Sequence, residues 1–328
     1  MLALVERHTV LTTDQLLVLE FGSLTRAQHR LAELWRLDVL WRFRHPLVSG
    51  GSRPWHYTVG YTGARLLAAQ RAARPPRPGV FQQGLERIAE SPKLRHLLGT
   101  NQFFVDLAAY ARRAGWPDPN VSDGNGLDTW RSEAEITKFY ENRVRPDGYG
   151  CWAEDGCRLG FYLEYDTGTE PLWVLADKLD TYAGNTGWRR SYTDHTAAKL
   201  HGMLLFWLPS ARREANVRRA LADRYCPLPV ATAFRDYGDP DGPAGPVWAV
   251  LDPDRYDGRK TAGGATGRLR LGELPAAIGG TNDAGRPLVL DHAPAANTTE
   301  PDPNRADAFP VPKEVRDPRS TSDEPEWP

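Results

Sequence analysis

The sequence predicts an α/β chain of the α+β kind: a small helical head with a two-stranded hairpin, a mixed sheet flanked by helices, and a tail without regular structure. Three observations predict it. Residues 1–72 carry helix-spaced apolar positions followed by two short strand-like runs. Residues 91–275 read as helix, three strands, helix, strand, helix and strand. From Ala276 onward, nine of the chain's 27 prolines sit among Asp, Asn and Thr with no apolar period.

The head opens at Thr12 and Gln15, whose spacing fits a capping box ahead of Leu16, Leu17 and Leu19. After the turn residues Gly22 and Ser23, Ala27, Leu31 and Leu34 recur at helical spacing and predict a helix over Thr25 to Leu37. Val39 to Arg44 and Trp55 to Val59 then alternate as strands around a Gly-Ser-Arg-Pro loop, and Thr62 starts a further helix. Two helices followed by two strands and a loop make a winged helix-turn-helix. The stretch Ala73 to Gly79 (ARPPRPG) punctuates strongly, so residues 73–90 are read as a linker.

In residues 91–275 a helix from Pro92 to Arg113 is followed by strand-like runs at Trp130 to Ile136, Val144 to Trp152 and Leu159 to Tyr165. A helix from Leu172 to Tyr182 comes next. The run Gly202 to Leu208 (GMLLFWL) is apolar enough for a central strand. Ala211 to Arg224 is an amphipathic helix, and Pro229 to Phe234 and Val247 to Leu251 are further strands. Residues 276–328 are expected to form an acidic, Pro-rich, disordered tail.

The 328 residues suffice for about two domains. No apolar run reaches the roughly 18 residues of a membrane span, and Glu6, Arg7 and His8 interrupt any signal-peptide core, so the expected location is the cytoplasm. Cys151, Cys157 and Cys226 lack the paired spacing of a zinc site and read as reduced thiols. Net charge is −1, yet residues 1–80 hold eleven Lys and Arg against five Asp and Glu, while residues 276–328 hold five against ten.

That basic head points to DNA as the partner. Arg26, Gln28, His29 and Arg30 stand near the start of the second helix with side chains suited to base edges and phosphates. Arg42, Arg44 and Arg53, in and around the wing, would add phosphate contacts. A solvated helical face, or a winged helix that binds protein, is the alternative.

A second cluster bears on chemistry. Arg145-Pro146-Asp147-Gly148 precedes Phe161-Tyr162-Leu163-Glu164-Tyr165-Asp166, and Lys178 and Tyr182 follow one helical turn apart. On a strand, Glu164 and Asp166 share a face because side chains alternate. With Asp147 they would form a hard-oxygen pocket suited to Mg²⁺, and Lys178 would stabilise a phosphodiester anion. A turn aspartate at Asp147, an exposed sheet edge at Glu164 and Asp166, and a surface pairing of Lys178 with Asp177 or Asp180 remain the alternatives. Ser191, Asp194 and His195 make no triad by adjacency, the Gly263–Gly267 run lacks the ending of a phosphate loop, and Trp188 with Arg189, Arg190 and Tyr192 is a weaker nucleic-acid candidate.

The Pro146-Asp147 and Glu164-x-Asp166 arrangement resembles the PD-(D/E)xK nuclease fold, a restriction-endonuclease-like sheet. That resemblance implies acidic metal ligands at Asp147, Glu164 and Asp166, with Lys178 in the part of the strand lysine that Asp166 replaces. Glu133 would add a carboxylate from an earlier strand. Taken with HLLGTNQFFVDLAAYARR, Trp130 to Glu133, RPDG and FYLEYDTGTE, residues 6–210 resemble the replication-relaxation family of actinobacterial plasmids and mobile elements. The resemblance implies a DNA-binding role in replication or mobilisation, with plasmid replication or transfer proteins as partners. Three readings follow from it: an Mg²⁺-dependent DNA-nicking nuclease, a non-catalytic replication or transcription regulator with a degenerate nuclease-like domain, and a toxin or restriction component.

Overall fold

The computed structural model describes residues 1–45, 54–116, 124–185, 202–222, 224, 228–251 and 267–278. These fall within one unit, Met1–Ala293. Arg53, Trp188, Arg189, Arg190, Ser191, Tyr192, Asp194, His195, Cys226, residues 263–266 and the tail beyond Ile278 lie outside the described residues.

The head contains α1 (Leu2–His8), β1 (Leu11–Thr12), α2 (Thr13–Glu20), α3 (Leu24–Arg36), β2 (Leu40–Phe43), β3 (His56–Val59) and α4 (Tyr61–Gln70). The capping box at Thr12 and Gln15 is formed in full and starts α2. Ser23 caps α3 through its hydroxyl. The apolar stripe Ala27, Leu31 and Leu34 is buried with Val5, Leu11, Leu16, Leu40 and Tyr57. The three strands pair antiparallel in the order β1-β3-β2.

Residues 73–90, read from the sequence as a linker, carry a helix, α5 (Pro78–Ala89). Its Pro78 sits in the first turn, where a missing N–H costs nothing, so the proline-rich run starts a helix rather than only breaking one.

The larger sheet is preceded by α6 (Leu94–Arg113). Its strands are β4 (Gly126–Ser132), β5 (Gly148–Glu154), β6 (Cys157–Tyr165), β7 (Met203–Leu208), β8 (Val230–Phe234) and β9 (Ala249–Val250), side by side in sequence order. The β4-β5-β6 meander is antiparallel, β6-β7-β8 run parallel and β9 returns antiparallel. Between the parallel strands lie α8 (Leu172–Asn185) and α9 (Ala211–Leu221), and α7 (Glu133–Phe139) joins β4 towards β5. A short α10 (Leu274–Ala277) covers Ala276, where the sequence reading began its tail.

Trp130 to Ile136, expected as one strand, is split. Ser132 ends β4 and forms a capping box with Glu135, so Glu133 opens α7 instead of lying on a strand.

Alternation along the strands separates two cores. Tyr162, Leu204, Phe206 and Leu208 face Leu175, Leu179, Tyr182 and Val217 of α8 and α9. Phe161, Leu163, Met203, Leu205 and Trp207 face Phe103, Phe104 and Leu107 of α6. The sheet is therefore buried on both faces, which is why β7 reads as an unbroken apolar run.

The head is tied to α6 and to the sheet by specific contacts. Asn101 Nδ2 donates to the carbonyls of His8 and Val10 at 3.1 and 2.9 Å. Gln15 Nε2 donates to Leu98 O at 3.1 Å, and the His8 and Trp130 rings stack at 3.5 Å. α6 is thus shared by both parts.

Candidate functional site

β6 carries the site because its even-numbered side chains point at α8. Glu164, 2 % exposed, meets two α8 side chains one helical turn apart: Lys178 Nζ donates to its Oε2 and Tyr182 OH to its Oε1, each at 2.7 Å. Lys178 also lies 3.4 Å from Glu170 and keeps 27 % of its side chain in solvent. Asp147 precedes β5, where its backbone N–H bonds Leu163 O at 3.0 Å. Its Oδ2 accepts the Tyr165 N–H at 2.7 Å and lies 3.2 Å from His96 Nε2.

α6 is set against this strand at Gly99. A Cβ there would fall 2.2 Å from the Tyr165 ring, so the absence of a side chain lets the helix bring His96 to Asp147.

Asp166 shares a face with Glu164, as alternation requires, but lies one residue beyond β6 and turns to another partner. Arg213 Nε of α9 donates to its Oδ2 at 2.6 Å, and Gly168 N–H donates to its Oδ1 at 2.8 Å. The structure brings Asp147, Glu164 and Lys178 together and does not bring Asp166 into contact with them. Glu133 lies on the exposed first turn of α7.

The electrostatics follow from burial. Burial pushes the Glu164 carboxyl up, to about 7; Lys178 opposes the rise and Asp147 adds to it. Burial works against the Lys178 ammonium, but Glu164 and Asp147 outweigh it and its pKa rises. Burial and then the Glu164 charge hold Tyr182 well above the usual phenol range, so it remains a donor. At His96, burial lowers the pKa and the Asp147 contact overcomes it, for a net rise.

Such a centre offers a carboxyl that exchanges its proton near neutral pH beside a fixed cation. Among the described residues, no three His, Cys, Asp or Glu groups converge as a metal site. Two carboxylates do face one cluster, and Mg²⁺ is ordinarily held by one or two carboxylates with waters completing its shell. Asp147 and Glu164 fit that donor chemistry: their mutual repulsion, which adds to the burial-driven rise at Glu164, is what a cation would relieve.

In the head, Arg26, Gln28, His29 and Arg30 are all exposed on α3, and Arg30 pairs with Glu33 at 2.6 Å. Arg42 lies between the rings of Trp35 and Trp55, 3.8 and 4.2 Å from their centroids, and Arg44 lies 4.3 Å from that of Trp55. Arg53 is outside the described residues.

His96, Glu170 and Arg213 were not legible as site residues. His96 lies in an apolar helix pattern, Glu170 in a turn and Arg213 on a helix whose charges read as solvent-facing. Their roles arise from long-range contacts that no spacing encodes.

Fold and site together define a mixed-sheet α/β protein with a helical head and a buried carboxylate–lysine centre. The replication-relaxation family model matches residues 2–199, and the chain belongs to that family. No curated protein and no solved structure matches the chain. Among the described residues no helix is long and apolar enough to cross a membrane.

Proposed function

We propose that the protein binds DNA through its head, as a winged helix-turn-helix, and nicks it at the Asp147–Glu164–Lys178 centre in the replication or mobilisation of a plasmid or mobile element. The observation that carries this reading is Lys178. It projects from α8 towards the sheet and reaches Glu164 at 2.7 Å, while staying open to solvent on one side. The order helix, three antiparallel strands, helix, parallel strand supports a PD-(D/E)xK-like core.

In this reading α3 enters the major groove, with Arg26, Gln28, His29 and Arg30 towards the bases and Arg42, Arg44 and Arg53 towards phosphates. Asp147 and Glu164 would hold Mg²⁺, which when bound supplies Lewis-acid polarisation of a phosphoryl oxygen. Lys178 steadies negative charge on the phosphodiester as it develops. Tyr182 and Lys178 fix the two Glu164 oxygens, and His96 orients Asp147 and holds a proton beside it. Asp166 acts through Arg213, anchoring the end of β6 to α9.

A second reading, the non-catalytic regulator, draws on the same contacts: Glu164 already has a donor on each oxygen and Asp166 is paired with Arg213. Such a network serves as a fold-specifying element as well as a catalytic one. The discriminating experiment incubates the protein with supercoiled and single-stranded DNA in Mg²⁺, Mn²⁺ or EDTA, beside an Asp147→Ala/Glu164→Ala variant. Metal-dependent nicking absent from the variant is expected. Binding without cleavage in any metal would transfer the assignment to the regulator.

A further inference from the structure

A cleft of about 550 Å³ opens where the head meets the sheet, with Asp147 and His96 in one wall. Three features of its lining are unexplained by the centre itself. First, Thr100 Oγ1, Thr137 Oγ1 and both ring nitrogens of His8 are buried without a hydrogen-bond partner. Orphaned buried polar atoms are costly, and several in one wall mark a place where a ligand's donors and acceptors are missing. Second, burial, then the Arg7 charge, lower His8 to about 3, so its ring is neutral and presents one donor and one acceptor. Third, Lys93, Lys138 and Arg145 stand exposed on the lining.

The lining combines neutral polar side chains and the Asp147 and Glu133 carboxylates with a basic rim, and this combination does not suit a bare anion, which would need positive charge or N–H donors at the wall. The volume falls in the range of clefts that take whole small ligands, about 300–1,000 Å³. A nucleotide has the matching division: a base edge with neutral donors and acceptors, and a phosphate. Because Asp147 belongs to the same lining, a nucleotide held there would lie beside the proposed centre.

We propose that this cleft receives one nucleotide of a single-stranded DNA segment, its base against His8, Thr100 and Thr137 and its phosphate against Lys93, Lys138 and Arg145. The inference rests on the reading of the centre as one that acts on DNA, and it adds strandedness. A nucleotide in a stacked duplex cannot enter a cleft, whereas an unpaired one can. His8 and Thr9 come from the head, so the cleft couples the recognition domain to the sheet.

The test measures binding in EDTA by anisotropy of a labelled single-stranded oligonucleotide and of a duplex, with competition by thymidine 5′-monophosphate or inorganic phosphate. The variants are Ala134→Trp, which fills the cleft from an exposed position on α7, and Lys138→Ala/Arg145→Ala. The expected result is single-strand affinity about tenfold weaker in each variant, duplex affinity within about twofold of wild type and an unchanged melting temperature. The monophosphate should compete at concentrations where phosphate does not. Unchanged single-strand binding, an equal loss for both DNA forms, or phosphate competing as well as the monophosphate would each overturn the proposal. Cleavage is not read, so these failures leave the metal-dependent reading standing. Conversely, single-strand binding through the cleft with no nicking in any metal removes only the catalytic reading.

Discussion

On α3 the side chains of Arg26, Gln28, His29 and Arg30 stand in solvent, whereas on β6 and α8 Glu164 and Lys178 are held between a sheet and a helix. The first set interacts weakly with its own fold: the Arg30–Glu33 pair is exposed, and exposed pairs contribute about 0–1 kcal/mol. The second set is woven into the core, where removing one partner leaves the other charge unpaired. Surface charge is therefore free to serve a partner. Buried charge supports the fold and any chemistry at once, and substitutions separate the two roles.

The largest effect is expected from Lys178→Met, which strands the Glu164 carboxylate. Allowing for the partial exposure of Lys178, a loss of about 3 kcal/mol in urea unfolding is expected. A loss below about 1 kcal/mol would mean that the pair is no more than a surface contact.

Next comes the pH dependence. The Glu164 carboxyl rises on folding from its ordinary 4.5 to about 7. Between those values the native state keeps a proton that the unfolded state has released, so this group's contribution is full below pH 4.5 and lost as pH rises towards 7. The slope is at most about 1.4 kcal/mol per pH unit. Glu164→Gln should remove that fall, leaving a flatter stability profile across this window; an identical slope in both proteins would contradict the assignment.

Thr12→Ala should cost about 1 kcal/mol by removing the α2 cap, measured as a shift in the denaturation midpoint. Smallest in stability is Arg26→Ala/Arg30→Ala, expected within about 0.5 kcal/mol of wild type. The same variant should weaken duplex binding, and the log–log salt dependence should flatten by about one unit for each lost phosphate contact. Unaltered affinity would assign the α3 face to another partner or to solvent.

The sequence disclosed local features well and distant ones poorly. The Thr12–Gln15 capping box, the Ala27, Leu31 and Leu34 stripe and the central strand Gly202 to Leu208 are written in short-range patterns, and each has its counterpart in the fold. The shared face of Glu164 and Asp166 follows from alternation, but their separation does not. It depends on Arg213, 47 residues further on, meeting the chain just past the end of β6. Likewise Trp130 to Ile136 has strand-like residues, and the Ser132 capping box overrides them by starting α7. In the proline-rich stretch ahead of α5, Pro78 falls in the first turn of the helix, and proline there marks a helix start as readily as a break, so its spacing alone does not tell the two apart.

The decisive measurement compares single-turnover nicking and DNA affinity for Glu164→Gln and Arg26→Ala/Arg30→Ala beside the wild-type protein, in Mg²⁺ or Mn²⁺. If surface charge recognises DNA and buried charge cuts it, Glu164→Gln binds DNA as wild type and does not cut, while the α3 variant binds weakly and cuts at the wild-type rate once saturated. Nicking that persists in folded Glu164→Gln would contradict a catalytic role for the buried centre.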